Sequence, residues 1–159
     1  MRIGIYVFSL HGHTKILAES IKEKLNASGH LAEVVAVEPV GQMDFTGRAI
    51  NIKPVPSIEE FDALAIGSPV HGGRLSAPIV GLLQEISSFE GKPTVCFATH
   101  FFPSMWGGRQ MVEKLKETCT EKKADVVGTT SVCWLGLHRQ KNIAIAAQEL
   151  SALLSRETN

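Results

Sequence analysis

Residues 9–14 read Ser9-Leu10-His11-Gly12-His13-Thr14. They follow an apolar run, Ile3-Gly4-Ile5-Tyr6-Val7-Phe8, and precede an amphipathic pattern that starts near Lys15. A strand, a short loop of hydroxyl and imidazole groups, and a helix start together make a site for a phosphate. The first amides of a helix have no intrahelical acceptor, and its dipole places partial positive charge there. Gly12 lets the backbone approach closely, Ser9 and Thr14 offer hydroxyls, and His11 and His13 offer N–H donors or charge. The segment is neither a Walker A loop nor a GxGxxG turn. A plainer reading makes it a tight turn with Thr14 as the helix N-cap.

Two further segments carry unusual chemistry for loops. One is Ser68-Pro69-Val70-His71-Gly72-Gly73-Arg74, where the paired glycines allow positive φ and expose backbone N–H. The other is Thr99-His100-Phe101-Phe102-Pro103-Ser104-Met105-Trp106-Gly107-Gly108. Both combine small residues, imidazoles and aromatics rather than charges, which suits a flat apolar ring whose edge needs backbone hydrogen bonds. The plainer readings are an ordinary turn for the first and partial core packing of Phe101 or Phe102 for the second. Cys133 and Trp134 lie near the same edge, where core packing is the simpler reading.

These segments need elements to hold them. Short apolar runs alternate with longer amphipathic stretches. Strands are expected at Ile3–Phe8, Leu31–Val37, Asp62–Gly67, Thr94–Thr99 and Val126–Trp134. Helical faces are Leu17, Ala18, Ile21 and Leu25; Leu75, Ile79, Leu82, Leu83 and Ile86, with Pro78 in the first turn; and Met111, Val112, Leu115 and Cys119. The last and clearest is Ile143, Ala146, Ala147, Leu150, Leu153 and Leu154. This alternation predicts one α/β domain over 1–159, a parallel sheet covered by helices on both faces. Residues 38–60 interrupt it with Pro39, Gly41, Gly47, Pro54 and Pro56, where a loop with one short turn at Ser57–Glu60 is expected. In such a sheet a ligand binds beyond the carboxyl ends of the strands, where all three unusual segments fall.

Composition narrows the function. The chain has 159 residues, is 44% hydrophobic and has zero formal net charge, so a real core is affordable and nothing favours nucleic acid or an anionic membrane. Cys96, Cys119 and Cys133 are isolated, so no metal or iron–sulfur site is readable, and Cys96 and Cys133 are expected to be buried thiols. No run approaches a membrane span and the N-terminus is a strand start, so the expected location is the cytoplasm.

Ser9-x-His11-Gly12-His13-Thr14 resembles the phosphate loop of flavodoxins, usually [ST]-x-T-G-N-T. The strand leading into Gly67-Ser68-Pro69-Val70-His71-Gly72 resembles the second flavin loop of flavodoxin-like proteins, and 99–108 sits where the third belongs. The resemblance covers nearly the whole chain and implies a three-layer αβα, doubly wound, five-stranded parallel sheet. It also implies the order 2-1-3-4-5 with FMN at the switch point, flavodoxin being the type example. By the same resemblance, Ser9, His11, Gly12, His13 and Thr14 would hold the FMN phosphate. Ser68, Pro69, Val70, His71 and Gly72 would flank the isoalloxazine, and Thr99, His100, Phe101, Phe102, Trp106, Gly107 and Gly108 would line its other side. His71 and His100 are the candidate proton donors at the flavin edge.

The chain departs from the family pattern at His11 and His13, which replace a threonine and an asparagine, and in lacking the acidity of electron-shuttle flavodoxins. The expected function is an FMN-binding redox protein, either an electron carrier or a small NAD(P)H-dependent reductase. Its partners would be a redox donor and acceptor, and a homodimer is compatible with the sequence. The alternative is a flavodoxin-fold binding or regulatory module that has lost the flavin. A phosphorylation receiver domain is excluded. It needs acidic residues after strands one and three, where this chain has Ser9-Leu10 and Gly67-Ser68.

Overall fold

The structure is a computed structural model and describes residues 1–43, 45–46, 48–101 and 107–157. The elements run β1 (Arg2–Val7), α1 (His13–Ala27), β2 (Leu31–Ala36), β3 (Ala63–His71), β4 (Arg74–Leu75), α2 (Ala77–Glu85), β5 (Pro93–His100), α3 (Gly108–Glu121), β6 (Asp125–Cys133) and α4 (Arg139–Arg156). The sheet order is β2-β1-β3-β5-β6, with every neighbouring pair on that path parallel. The two-residue β4 is a short antiparallel arm on β3. Without it the order is the expected 2-1-3-4-5.

Alternation along the central strands splits the core into two layers. Ile3, Ile5 and Val7 of β1 and Val95 and Phe97 of β5 face α1 and α4, meeting Leu17, Ile21, Ala147 and Leu150. Tyr6 of β1, Leu64 and Ile66 of β3 and Cys96 and Ala98 of β5 face the other way, onto Ile79, Leu82, Val112 and Leu115 of α2 and α3. Both faces are buried because parallel crossovers place helices on each.

Several expected boundaries move. β3 continues through Ser68–His71 instead of stopping at Gly67, and β5 runs to His100. Much of the presumed 68–74 loop is therefore strand, and His100 lengthens β5 by one residue. Pairing with β4 and β6 supplies the hydrogen bonds that extend these strands. Leu75 belongs to β4, not to the helix that follows, and the Gly72-Gly73 turn before it explains why. Pro78 does sit in the first turn of α2.

Residues 38–60 hold no long element among those described. A clip between Val40 N–H and the Asn51 carbonyl (2.9 Å) and between Lys53 N–H and the Glu38 carbonyl (2.8 Å) closes their base. Ser57 Oγ accepts from Glu59 N–H (3.2 Å) and starts the single expected turn at Ile58–Glu60. The Tyr6 hydroxyl donates to the Pro56 carbonyl (2.5 Å) and ties the segment to β1. No described helix is long and apolar enough to cross a membrane.

Candidate functional site

The carboxyl ends of β1, β3 and β5 open into one cleft of about 500 Å³. Its lining includes Ser9, Leu10, His11, His13 and Thr14 from the first segment, Pro69, Val70 and His71 from the second, and Thr99, His100 and Phe101 from the third. Three stretches far apart in sequence therefore meet as expected. Leu10 had carried no role in the sequence reading. Not every expected residue reaches the lining. Ser68 is fully buried, and its Oγ lies 2.9 Å from Ser76 Oγ and accepts from Ser76 N–H at 3.0 Å. It braces the β3–β4 hairpin. Gly72 forms the hairpin turn, and Gly107 and Gly108 begin α3. Phe102 and Trp106 lie outside the described residues.

The phosphate end is built on α1. Gly12 is the N-cap, with φ 85°, a left-handed conformation that glycine adopts without cost. Thr14 is therefore inside the helix, and the plainer reading that made it the cap of α1 does not hold. Ser9 reaches the helix start instead, accepting from Lys15 N–H at 3.3 Å. Thr14 is buried, with its Oγ1 2.7 Å from Thr99 Oγ1. One of these hydroxyls donates to the other, so the acceptor keeps its own proton for a further partner. This bond ties the first segment to the third.

His13 stacks on Trp134, with ring centroids 4.5 Å apart and planes 15° apart. Arg139 lies over the same indole at 5.5 Å. Trp134 is buried, so core packing holds for it, but its ring also sets the orientation of His13. Cys133 is only partly buried, with Sγ 3.5 Å from the carbonyls of Phe101 and Leu135. It ends β6 at the edge of the sheet, and the expectation of a buried thiol is corrected there. Cys96 and Cys119 are buried, 3.9 Å apart between β5 and α3.

The ring end is built on the β3–β4 hairpin. Gly72 and Gly73 take φ 55° and 72°, the two positive values that a tight two-residue hairpin turn demands. His71 precedes them, opposite Arg74. Its ring meets Phe8 edge-on at 6.1 Å and Phe45 at 5.5 Å. Arg74 Nη1 donates to the Thr46 carbonyl at 2.6 Å, so the 38–60 segment closes onto the hairpin. Phe45 was not anticipated, and nothing in its local sequence marks it. His71 Nδ1 is buried with no hydrogen-bond partner among the described residues. His100 is buried, and its ring packs against Gly108, where an added Cβ would fall 2.4 Å from Cδ2.

Among the described residues no carboxylate stands in the cleft lining. His13 titrates below the ordinary histidine value because burial, then His11, then Arg139 disfavour its charge. His71 is lowered by burial and then by His11. An anion at the α1 N-terminus would oppose this effect at His13, which starts the helix. The donors present, Ser9, the first-turn amides of α1, the Thr14–Thr99 pair and two imidazoles, fit a phosphate monoester. His71 Nδ1, without a partner among the described residues, would suit the polar edge of a ring bound in the cleft. The residues therefore fit FMN. Among the described residues no group of side chains is suited to a metal.

Comparison with known proteins agrees. The family model described as NADPH-dependent FMN reductase matches residues 1–134. A curated NAD(P)H dehydrogenase (quinone) of Cupriavidus metallidurans is 26% identical over 91 residues, 53% of this chain and 46% of that protein. The match thus spans about half the length of that curated relative. Oxidised flavodoxin 1 from Bacillus cereus superposes with a TM-score of 0.68 at 17% identity, covering 98% of each chain. A flavoprotein from Lactobacillus acidophilus, solved in complex with FMN, gives 0.64 at 20% identity over 82% of this chain and 92% of that one. The flavodoxin-like fold class and the FMN cofactor stand.

Proposed function

The chain belongs to the NADPH-dependent FMN reductase family, and from that premise we propose that it is a small FMN-dependent reductase using NAD(P)H and a quinone-type acceptor. One observation carries this reading: the cleft offers donors to an anion at the α1 N-terminus, and at its hairpin end His71 Nδ1 is buried without a partner among the described residues. An electron shuttle steered to a basic partner needs an acidic surface. This chain has zero net charge and, among the described residues, no carboxylate in its cleft.

Bound FMN would supply two-electron chemistry, taking hydride from the nicotinamide and passing electrons to the acceptor. The chain's own residues divide the remaining work. Ser9, the first amides of α1, His11 and His13 hold the phosphate. Pro69 and Val70 on one side, and Thr99 and Phe101 on the other, orient the ring and exclude water. His71 exchanges a proton at Nδ1 on the ring's edge. His100, packed on Gly108, is the weaker candidate for that role.

Stopped-flow mixing of the FMN-loaded protein with NADH or NADPH tests the assignment. Rapid bleaching of flavin absorbance, followed by reoxidation on adding a quinone, is the expected result. Flavin that binds but is reduced only by a one-electron donor would make the protein a carrier instead.

A further inference from the structure

A second cavity lies outside the cleft, on the face covered by α2 and α3. It holds about 420 Å³ and runs from the β4 arm along the seam between the two helices. Its floor is apolar: Leu75, Val80, Leu83 and Met111. Its rim carries Arg74, Lys114 and Lys122, and among the described residues no carboxylate is in its lining.

The charge of this rim follows from the helical repeat. Met111, Lys114, Thr118 and Lys122 recur every three or four residues and share one side of α3 at the seam. Glu113 and Glu117 fall on another side of the same helix. Two of the three cations already serve the fold. Lys122 Nζ donates to the Ile86 carbonyl at 2.7 Å and Arg74 to the Thr46 carbonyl. Lys114 is exposed and makes no ion pair or side-chain hydrogen bond among the described residues.

We propose that this seam is a binding site for a small anionic amphiphile: an apolar body lying on Leu75, Leu83 and Met111, and a carboxylate or sulfonate held by Lys114. Two arguments select this occupant. The volume falls within the range of small-molecule pockets. A second copy of the chain docked about a two-fold axis would oppose this rim to itself, setting lysine against lysine. An anion with an apolar tail matches both the floor and the rim. The site is independent of the flavin cleft, although Gly73 borders it and the β4 arm is common to both regions.

Calorimetric titration of the FMN-loaded protein with dodecanoate tests the proposal, with dodecanol as the uncharged control and flavin absorbance read on the same samples. One dodecanoate per chain is expected, weakened by added salt, with dodecanol binding less tightly. Lys114→Glu should weaken it roughly tenfold, since an exposed attraction becomes a repulsion. Gln84→Trp, an exposed position on the same rim, should block the seam by filling it. Flavin content should stay constant in both variants, which separates this result from any failure of FMN binding. Absence of saturable binding, or binding indifferent to both variants, would overturn the proposal. So would sedimentation showing a dimer that these variants dissociate, because a second copy would then cover the seam.

Discussion

The two ends of the flavin cleft are built on opposite plans. At the phosphate end the polar groups satisfy one another before any ligand arrives: Thr14 with Thr99, Ser9 with the start of α1, His13 stacked on Trp134. At the other end the hairpin holds His71 against Phe8 and Phe45 and leaves Nδ1 buried with no partner among the described residues. An unsatisfied buried polar atom costs about 1–3 kcal/mol. A chain retains such a cost where the group serves something other than folding. In the proposed function the first end would be an anchor and the second the place where a proton moves.

The ring end should give the largest effect. In His71→Leu the unpartnered atom is gone, so thermal stability should hold or rise slightly. Turnover with NADPH and a quinone should fall on the order of a hundredfold, the scale of a lost general acid or base. Flavin content should be unchanged. Unaltered turnover in a flavin-loaded variant would remove the distinction between the two ends.

The anchor should respond in the reverse sense. Thr14→Val keeps the shape but leaves Thr99 Oγ1 buried without its partner, at a cost of about 1–3 kcal/mol in urea unfolding. FMN affinity, followed by quenching of flavin fluorescence, should drop roughly tenfold. Turnover per bound flavin should barely change. Adding Thr99→Val should recover stability but not affinity, because both hydroxyls are then absent and neither is stranded. Recovery of both would mean that the pair serves the fold alone.

How much of this was legible in the sequence depended on whether the signal was local. The strand order and both helical layers follow from periodicity and the resemblance of residues 9–14 to a phosphate loop. The three converging segments followed from their positions at strand ends. What escaped was long-range. Phe45 reaches His71 only because the 38–60 segment closes onto the hairpin, and no turn or cap near Phe45 announces that contact. Thr14 looked like a cap because threonine before a helical run usually is one. Its burial against Thr99 is set by the pairing of strands far apart in sequence. Ser68 was expected to flank the ring because strand β3 seemed to end at Gly67, whereas pairing with β5 carries the strand through Ser68 and buries its hydroxyl against Ser76.

The smallest and most diagnostic effect belongs to His13. Its titration point is lowered in the folded chain, so the unfolded chain takes the proton first. The stability tied to this group is therefore present in full above about pH 6.5, the ordinary histidine value, and declines as pH falls through it. Bound phosphate reverses the preference, because a dianion beside His13 favours imidazolium against the opposing His11 and Arg139. From pH 8 to pH 6.5 FMN affinity should thus rise, by roughly threefold to tenfold, while the stability of the flavin-free protein holds and falls only as pH drops through about 6.5. Riboflavin, which has no phosphate, should bind with little pH dependence over the same range. His13→Asn should flatten the FMN slope and leave riboflavin as it was. An FMN slope that survives this substitution would assign the proton uptake to His11 and make His13 a packing partner of Trp134.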